Sequence, residues 1–351
     1  ADHVDQFQHP EQREPAAHDE RSGDEREPLA PARQGGRRGK PAGHGVQCAR
    51  GPRAAYADPV LTADIGIIGG SGFYSFFSEA ERVELTTPFG DPSGPLTIGE
   101  VAGRRVAFLP RHGERHQFPP HRVNYRANLW ALRSVGVRQV LAPCAVGSLQ
   151  GHLEAGAFVV PDQVVDRTWG REHTVYGEVG PVVHVSFADP YCPNGRAAAL
   201  ASASEDTPLV DGGTLVVING PRFSSRAESL WHAANGWSVV GMTGMPEASV
   251  ARELAMCYTT VCCVTDADAG LEGEAGVTHT DVLAVFADNI ERLKALLLRT
   301  VAALPDAAAS ADCPCRRALD GLRLPFDLPG EQPAGRPIRG EGSVDEGPTA
   351  G

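Results

Sequence analysis

The sequence predicts an α/β fold, a single domain with a central mixed, mostly parallel β-sheet flanked by helices. Between residues 63 and 305, short runs rich in β-branched residues alternate with stretches in which apolar residues recur at helical spacing, a pattern typical of α/β domains. The first run, Ile65–Ile68, leads directly into Gly69-Gly70-Ser71-Gly72. A buried strand that ends in a glycine cluster can deliver backbone N–H groups to an anion.

Each predicted element follows from local composition. Short β-branched runs predict strands at 65–68, 96–98, 105–109, 137–142, 158–165, 213–218, 238–242 and 259–264. Helical apolar spacing predicts helices at 124–134, 196–203, 225–235, 246–256 and 280–304. Open α/β sheets bind ligands beyond the carboxyl ends of their strands, so we expect one site formed by the loops at Gly69, Arg111, Cys144, Met242 and Asp266.

The two ends of the chain differ from this domain. Residues 1–62 contain almost no large apolar side chains and cannot offset the entropy of ordering, which predicts a disordered extension. Residues 306–351 are rich in Ala, Pro, Gly and Asp, so we expect a mostly irregular C-terminal segment. The net charge of −12 argues against nucleic-acid binding, and no apolar stretch approaches the roughly 20 residues of a membrane span.

The eight cysteines indicate a reducing compartment, and we expect a cytoplasmic protein. They include no CxxC pair, and no nearby histidine completes a zinc-site spacing. Cys313-Pro-Cys315 is the exception, because a CxC pair can close a strained disulfide or bind a soft metal. We interpret both as free thiols, and their role stays open.

Arg111-His112 follows an apolar run and lies between proline and glycine. A guanidinium fork can bind two phosphate oxygens while the imidazole adds a hydrogen bond, so this pair predicts an anion site, although a strand-end surface would look similar. Asp266 and Asp268 emerge after the run 261–264. Two neighbouring carboxylates can serve acid-base chemistry, or they can form an Asx-turn that ends the strand.

The segment from Asn219 to Glu228 predicts a helix N-terminus, with Ser224 or Ser225 as the N-cap and Glu228 at capping-box spacing from Ser225. His152, His173 and His232 are interpreted as ordinary surface residues.

Taken together, these motifs resemble the methylthioadenosine phosphorylase branch of the trimeric purine nucleoside phosphorylase family, from about Ala63 to Leu304. The resemblance makes residues 63–305 a phosphorylase domain. It rests on Ile67-Ile68-Gly69-Gly70-Ser71-Gly72, Thr87-Pro88-Phe89-Gly90, Arg111-His112-Gly113, Val123-Asn124-Tyr125-Arg126-Ala127-Asn128, Gly220-Pro221-Arg222-Phe223-Ser224-Ser225-Arg226-Ala227-Glu228 and Met242-Thr243-Gly244-Met245-Pro246-Glu247.

The resemblance implies an enzyme in which phosphate attacks C1′ of the sugar as the purine leaves. Phosphate is a co-substrate, and neither a metal nor another cofactor is expected. Met242 would lie against the ribose. The residues implied for phosphate are Ser71, Arg111, His112, the Cys144-Ala145 turn and Thr243.

For the purine, the resemblance implies Asp266 at N7 and Asp268 at the exocyclic 6-position. Branches that use 6-oxopurines usually have asparagine at the first of these positions and glutamate at that of Ser224, so this chain should favour a 6-aminopurine and methylthioadenosine. His279 falls where nucleoside enzymes carry a histidine for the 5′-hydroxyl, which keeps open a broader purine nucleoside phosphorylase acting on adenosine or inosine. A nucleoside-binding sensor without catalysis is the non-enzyme alternative.

His184 matches a position that in the family reaches into the neighbouring subunit's site. The resemblance therefore implies a homotrimer.

Overall fold

The computed structural model describes residues 62–70, 77, 80–269 and 278–330. The expected disordered extension at 1–62 lies outside the described residues except for residue 62, as does the tail from 331 to 351. The strands are β1 (Ile65–Gly69), β2 (Ala80–Val83), β3 (Leu96–Val101), β4 (Arg104–Pro110), β5 (Gln139–Leu141), β6 (Cys144–Ser148), β7 (Phe158–Val160), β8 (Gln163–Arg167), β9 (Leu209–Asp211), β10 (Thr214–Ile218), β11 (Val239–Gly241), β12 (Cys257–Thr259) and β13 (Cys262–Ala267).

These strands form two mixed sheets. A 6-stranded sheet has the order β12-β5-β1-β4-β3-β2, and a 7-stranded sheet has the order β8-β10-β11-β6-β13-β7-β9. Parallel pairs predominate in both sheets, while β2 with β3, β3 with β4, β6 with β11 and β7 with β13 are antiparallel. The predicted α/β class is confirmed, but the strands divide between two sheets instead of forming one central sheet.

Two neighbouring chain segments cross together from the first sheet to the second. β5 and β12 are parallel partners in the first sheet, and their continuations β6 and β13 are parallel partners in the second. The amide of Ala142 donates to Thr259 O at 2.9 Å, and the amide of Cys144 donates to Val261 O at 3.1 Å. The two short connections therefore stay paired and join the sheets.

Two of the predicted strands are divided in the structure. The apolar run at 259–264 was predicted as one strand, but it contributes to β12 and β13, which belong to different sheets. The run at 158–165 likewise divides into β7 and β8 around Pro161-Asp162, because proline cannot donate to a ladder. β2, β6 and β9 were not predicted, since their sequences lack long β-branched runs.

Five helices of the described residues flank the sheets, close to where the apolar spacing predicts them. Asn124 caps the first by accepting a hydrogen bond from the amide of Ala127 at 3.2 Å. Ser225 and Glu228 form the predicted capping box of the third helix. The helices are α1 (Tyr125–Ser134), α2 (Pro193–Ala201), α3 (Arg226–Ala234), α4 (Gly244–Glu253) and α5 (His279–Ala303).

β1 is buried on both faces, which explains its continuous apolar sequence. Ile65 and Ile67 pack in a core cluster with leucines of α5, whereas Ile68 packs in a second cluster with residues of α1 and α4. Gly66 permits the close approach of α1, because a Cβ there would lie 3.3 Å from Leu132. The buried strand therefore presents its carboxyl end, Gly69-Gly70, to the pocket.

Residues 306–330 run through successive turns against this domain. The Phe326 ring contacts those of Trp130 and Tyr176, with centroids 5.5 and 5.2 Å away, and Arg133 donates to Pro329 O at 2.7 Å. In the part of the chain that the structure describes, no helix has the length and apolar character needed to cross a membrane.

Candidate active site

A cavity of about 450 Å³ lies at the junction of the two sheets, within the size range of pockets that enclose small molecules. Segments from distant parts of the sequence line it, including those following β1, β4 and β11 and the end of β13. The pocket thus unites the five predicted loops. Of the residues expected in the site, the lining includes Arg111, His112, Cys144, Ala145, Met242, Thr243, Asp266 and Asp268.

Arg111 is held at the pocket wall by Glu247. Its Nε and Nη2 donate to the two carboxylate oxygens of Glu247, both at 2.9 Å, and Nη1 donates to Pro143 O at 3.0 Å. Both side chains are almost completely buried, and Tyr258 donates its hydroxyl to Glu247 at 2.8 Å. Burial opposes the charged form of Arg111, but the carboxylate outweighs it and raises the Arg111 pKa.

This arrangement limits what Arg111 can offer to a ligand. A guanidinium has five N–H groups, and the contacts to Glu247 and Pro143 use three of them. Two remain for an anion. Because Glu247 neutralises the positive charge, Arg111 contributes oriented hydrogen bonds more than net charge.

His112 has a fixed tautomer. Its Nδ1–H donates to Phe118 O at 2.8 Å, so the neutral ring presents Nε2 as an acceptor. Burial and the neighbouring Arg111 lower the pKa of His112 to about 4. At neutral pH, His112 can therefore accept the hydrogen of a monohydrogen phosphate.

Thr243 precedes α4 and makes no side-chain capping bond there, which leaves its hydroxyl to the pocket. The neighbouring Met242 packs against Gly220, where a Cβ would lie 2.6 Å from the Met242 sulfur. Gly220 also has a φ of +61°, which favours glycine.

Arg171, which the sequence analysis did not identify, fixes the backbone around Met242. Its Nη2 donates to Met242 O at 2.9 Å and to Asn219 O at 2.8 Å, and its Nη1 donates to Met245 O. The side-chain oxygen of Asn219 accepts from Arg171 Nε at 3.2 Å. This buried guanidinium therefore joins the end of β11 to the loop after β10.

Cys144 and Ala145 begin β6, where a phosphate-binding turn was expected. The Cys144 amide donates to Val261 O at 3.1 Å, so it is not available to a phosphate. The difference arises because the chain continues into the second sheet instead of turning after β5.

Asp266 and Asp268 lie together at the end of β13. The Cβ of Asp268 and the Oδ2 of Asp266 would each lie 3.0 Å from a Cβ built on Gly147, the residue of β6 that pairs with Asp266. Thr265 donates its hydroxyl to Asp266 at 2.6 Å, and Ser229 donates its hydroxyl to buried Asp268. Both carboxylates are thus oriented by neighbouring hydroxyls.

Four expected site residues are not among the described residues that line the cavity. Ser71 lies outside the described residues, and His279 begins α5 with a side chain that also lies outside them. Ser224 follows the pocket residue Phe223, and its buried hydroxyl has no hydrogen-bond partner among the described residues. His184 is exposed and does not line the cavity.

The interpretation of His232 as a surface residue was wrong. Its side chain is buried and packs against the rings of Trp231 and Trp237, at centroid distances of 5.3 and 5.4 Å. Burial lowers the pKa of His232, and the negative charge of Asp268 partly opposes that shift. As expected, His152 and His173 are exposed.

The pocket joins hydrogen-bond donors suited to an anion with a pair of oriented carboxylates. Apolar residues of α5, namely Val282, Leu283 and Phe286, line it as well. A ligand that carries an anion, a polar ring and an apolar substituent would meet complementary groups.

The family profile described as "Phosphorylase superfamily" matches residues 64–302. A purine nucleoside phosphorylase of Streptomyces coelicolor is 60% identical over 277 residues, covering 77% of this chain and 99% of that protein. An S-methyl-5'-thioadenosine phosphorylase of Mycolicibacterium smegmatis is 54% identical over 266 residues, covering 76% of this chain and 99% of that protein.

Solved structures agree with these similarities. A methylthioadenosine phosphorylase of Schistosoma mansoni in complex with adenine has a TM-score of 0.65 at 39% identity, covering 69% of this chain and 91% of that chain. A methylthioadenosine phosphorylase from an Antarctic soil metagenomic library has a TM-score of 0.68 at 38% identity, covering 75% of this chain and 92% of that chain.

Proposed function

This chain belongs to the phosphorylase superfamily, and from that premise we propose that it catalyses the phosphorolysis of 5′-methylthioadenosine to adenine and 5-methylthioribose 1-phosphate. It is a pentosyltransferase of the nucleoside phosphorylase type. The observation that carries the proposal is a single pocket in which Arg111, His112 and Thr243 occur with Asp266 and Asp268.

Arg111, His112 and Thr243 support the binding of phosphate in the pocket. Two guanidinium N–H groups and the Thr243 hydroxyl can donate to phosphate oxygens, while His112 Nε2 can accept the phosphate hydrogen. Holding phosphate against C1′ removes much of the entropy cost of the reaction, and such positioning can lower a barrier by roughly 7–11 kcal/mol. Ser71, by resemblance, would add another hydroxyl.

The two carboxylates, Asp266 and Asp268, support the binding and departure of the purine. A phosphate oxygen forms a bond to C1′ as the C1′–N9 bond breaks and its electron pair passes to the purine. Asp266, when protonated, would donate its proton to N7 of the departing base. Asp268, as a carboxylate, would accept a hydrogen bond from a 6-amino group and repel a 6-oxo group.

The residues proposed to surround the sugar suit a 5′-methylthio substituent. Met242 would lie against the ribose, and the wall formed by Val282, Leu283 and Phe286 suits a thioether. Apolar surface contributes about 25 cal/mol for each Å² buried, whereas a 5′-hydroxyl on this wall would lose its hydrogen bonds to water.

The decisive experiment measures base release from methylthioadenosine, adenosine and inosine, each with and without phosphate. Phosphate-dependent adenine release with the highest kcat/KM for methylthioadenosine supports the proposal. Cleavage in water without phosphate would instead indicate a nucleosidase. Binding of nucleoside without any cleavage would indicate a sensor.

A broader purine nucleoside phosphorylase is the second candidate, favoured by the Streptomyces coelicolor relative and by the sequence position of His279. A His279→Val variant separates the two. If His279 contacts the 5′-hydroxyl, the variant loses activity on adenosine far more than on methylthioadenosine. An equal effect on both substrates removes this argument for the second candidate.

We also propose a cytoplasmic homotrimer in which His184 enters a neighbouring subunit's site. His184 lies in an irregular segment whose side chains Trp169, Val179 and Val182 are at least 75% exposed. Such a concentration of exposed apolar residues is typical of interaction surfaces. The phosphorylase domain would span residues 63–305.

A further inference from the structure

Four buried cysteines outside the pocket lie together. Cys192 is the N-cap of α2, Cys257 begins β12, and Cys313 and Cys315 belong to the C-terminal turns. Their four sulfur atoms lie within 4.8 Å of one another, and Cys313 Sγ is 3.6 Å from the sulfurs of both Cys192 and Cys257.

We propose that Cys192, Cys257, Cys313 and Cys315 form a structural site for one zinc ion, which fastens the C-terminal segment to the phosphorylase domain. The sequence shows no local zinc-site spacing among the cysteines, although the Cys313-Pro-Cys315 pair can bind a soft metal, and the family resemblance implies no metal for the reaction. The fold removes that objection, since the ligands come from three segments that are distant in the sequence.

The sulfur geometry matches zinc coordination. In a tetrahedral site with Zn–S bonds of about 2.3 Å, neighbouring sulfurs are about 3.8 Å apart. Two of the sulfur separations, those from Cys313 to Cys192 and to Cys257, are 3.6 Å and lie close to this value, and all four sulfurs lie within 4.8 Å of one another. A disulfide would need an S–S distance of about 2.05 Å, so the geometry favours four separate thiolates around a central cation.

Neighbouring groups stabilise negative charge on the sulfurs. The amide of Gly195 donates to Cys192 Sγ at 3.4 Å, and Arg252 Nη2 donates to Cys315 Sγ at 3.6 Å. Four thiolates around Zn²⁺ leave a net charge of about −2, which the buried Arg252 guanidinium partly balances. Outer contacts of this kind orient metal ligands and tune their basicity.

The donor set also indicates the type of metal and its role. Four sulfur ligands in tetrahedral positions select zinc or iron, and four protein ligands leave no open position for substrate. None of the four cysteines lines the active-site cavity. The site is therefore structural and independent of the proposed reaction.

A local consequence follows for the segment that carries His184. Arg252 donates to Ser186 O at 2.8 Å and to Asp189 O at 2.6 Å, as well as to Cys315. The cysteine cluster and this segment thus share one guanidinium, so loss of the metal should loosen both.

The test uses the full chain, purified without metal-affinity resin and kept reduced. Elemental analysis should give about one zinc per chain. X-ray absorption at the zinc edge should give four sulfur neighbours at about 2.3 Å. Replacement by Co²⁺ should produce the thiolate-to-cobalt charge-transfer bands of a tetrahedral site.

Variants then locate the metal. The double variant Cys313→Ser/Cys315→Ser should lose zinc, whereas Cys263→Ser, which removes a buried thiol outside the cluster, should retain it. Zinc retained by the double variant would overturn the assignment. The assignment would also be overturned if the wild-type chain, with its thiols kept reduced, contained no metal and gave no cobalt spectrum. An intact mass lower by the four hydrogens lost in forming two disulfides would overturn it as well. The wild-type measurements decide the question even if the double variant does not fold.

Discussion

Glu247 and Arg111 form a buried ion pair in which each carboxylate oxygen accepts a guanidinium N–H at 2.9 Å. The two residues are 136 positions apart in sequence. Tyr258 and Pro143 complete the arrangement by bonding to the carboxylate and the guanidinium. Arg111 therefore meets phosphate as a preoriented donor whose charge is already balanced, and Glu247 is a positioning residue for the anion site.

Glu247→Gln should raise the KM for phosphate about tenfold, the equivalent of losing one charge-assisted hydrogen bond. The amide NH2 would face a donor of Arg111 or Tyr258, so the guanidinium would lose its orientation. Breaking a buried pair should also lower the free energy of unfolding by about 3–5 kcal/mol. Steady-state kinetics with varied phosphate and urea denaturation measure both effects.

The matched control is Glu253→Gln, which changes another buried carboxylate of the same helix. Glu253 accepts from Thr174 and Val175, so its substitution should reduce stability without changing the KM for phosphate. A lower KM for phosphate in Glu247→Gln would contradict the positioning role, because it would mean that the negative charge of Glu247 weakens phosphate binding.

Residues at strand ends could be predicted from sequence, but the residues that orient them could not. Arg111, Asp266 and Met242 each follow a short apolar run that is recognisable locally. Glu247 and Arg171 act across the fold, and no local pattern identifies their partners. Glu247 does occur in one of the recognised motifs, Met242-Thr243-Gly244-Met245-Pro246-Glu247. The available sequence signal for its role was therefore an acidic residue directly after Met-Pro.

Gly147→Ala should separate the two carboxylates. A Cβ at Gly147 would lie 3.0 Å from both Asp266 Oδ2 and the Asp268 Cβ. The neighbouring atoms must move by a few tenths of an ångström, less than the displacement of about 1 Å that can cost about 100-fold, so we expect kcat/KM for methylthioadenosine to fall by about tenfold. The KM for phosphate should change little. Gly177→Ala is the control, because its nearest side-chain contact would be an ordinary 3.8 Å.

Asp266→Ala should reduce kcat by about 10²–10⁴-fold, the usual contribution of a general acid. Asp266→Asn keeps a hydrogen-bond donor, and with Ser224→Glu it should move the preference toward inosine. Turnover of methylthioadenosine and inosine by both variants measures these changes. Near-normal turnover in Asp266→Ala would exclude the proposed acid role.

The stability of the protein should depend on His112 between pH 4 and 6.5. Burial and Arg111 lower its folded-state pKa from 6.5 to about 4, so within this window the unfolded chain binds the proton and the folded chain does not. Stability therefore rises with pH across the window, by about 3 kcal/mol from this group. His112→Gln should flatten that part of the curve in urea titrations, and His152→Gln should leave it unchanged.

The final prediction concerns the proposed trimer. If His184 completes a neighbouring site, coexpressed Asp266→Ala and His184→Ala chains should form mixed trimers with some intact sites, each using Asp266 from one chain and His184 from another. Dual-tag purification followed by an activity assay should show recovery above either variant alone. Asp266→Ala mixed with Arg111→Ala should show none, because both residues line the same chain's pocket. Mixed trimers without recovery in the first pair would place His184 outside the partner's site, since every other requirement for an intact site would then be met.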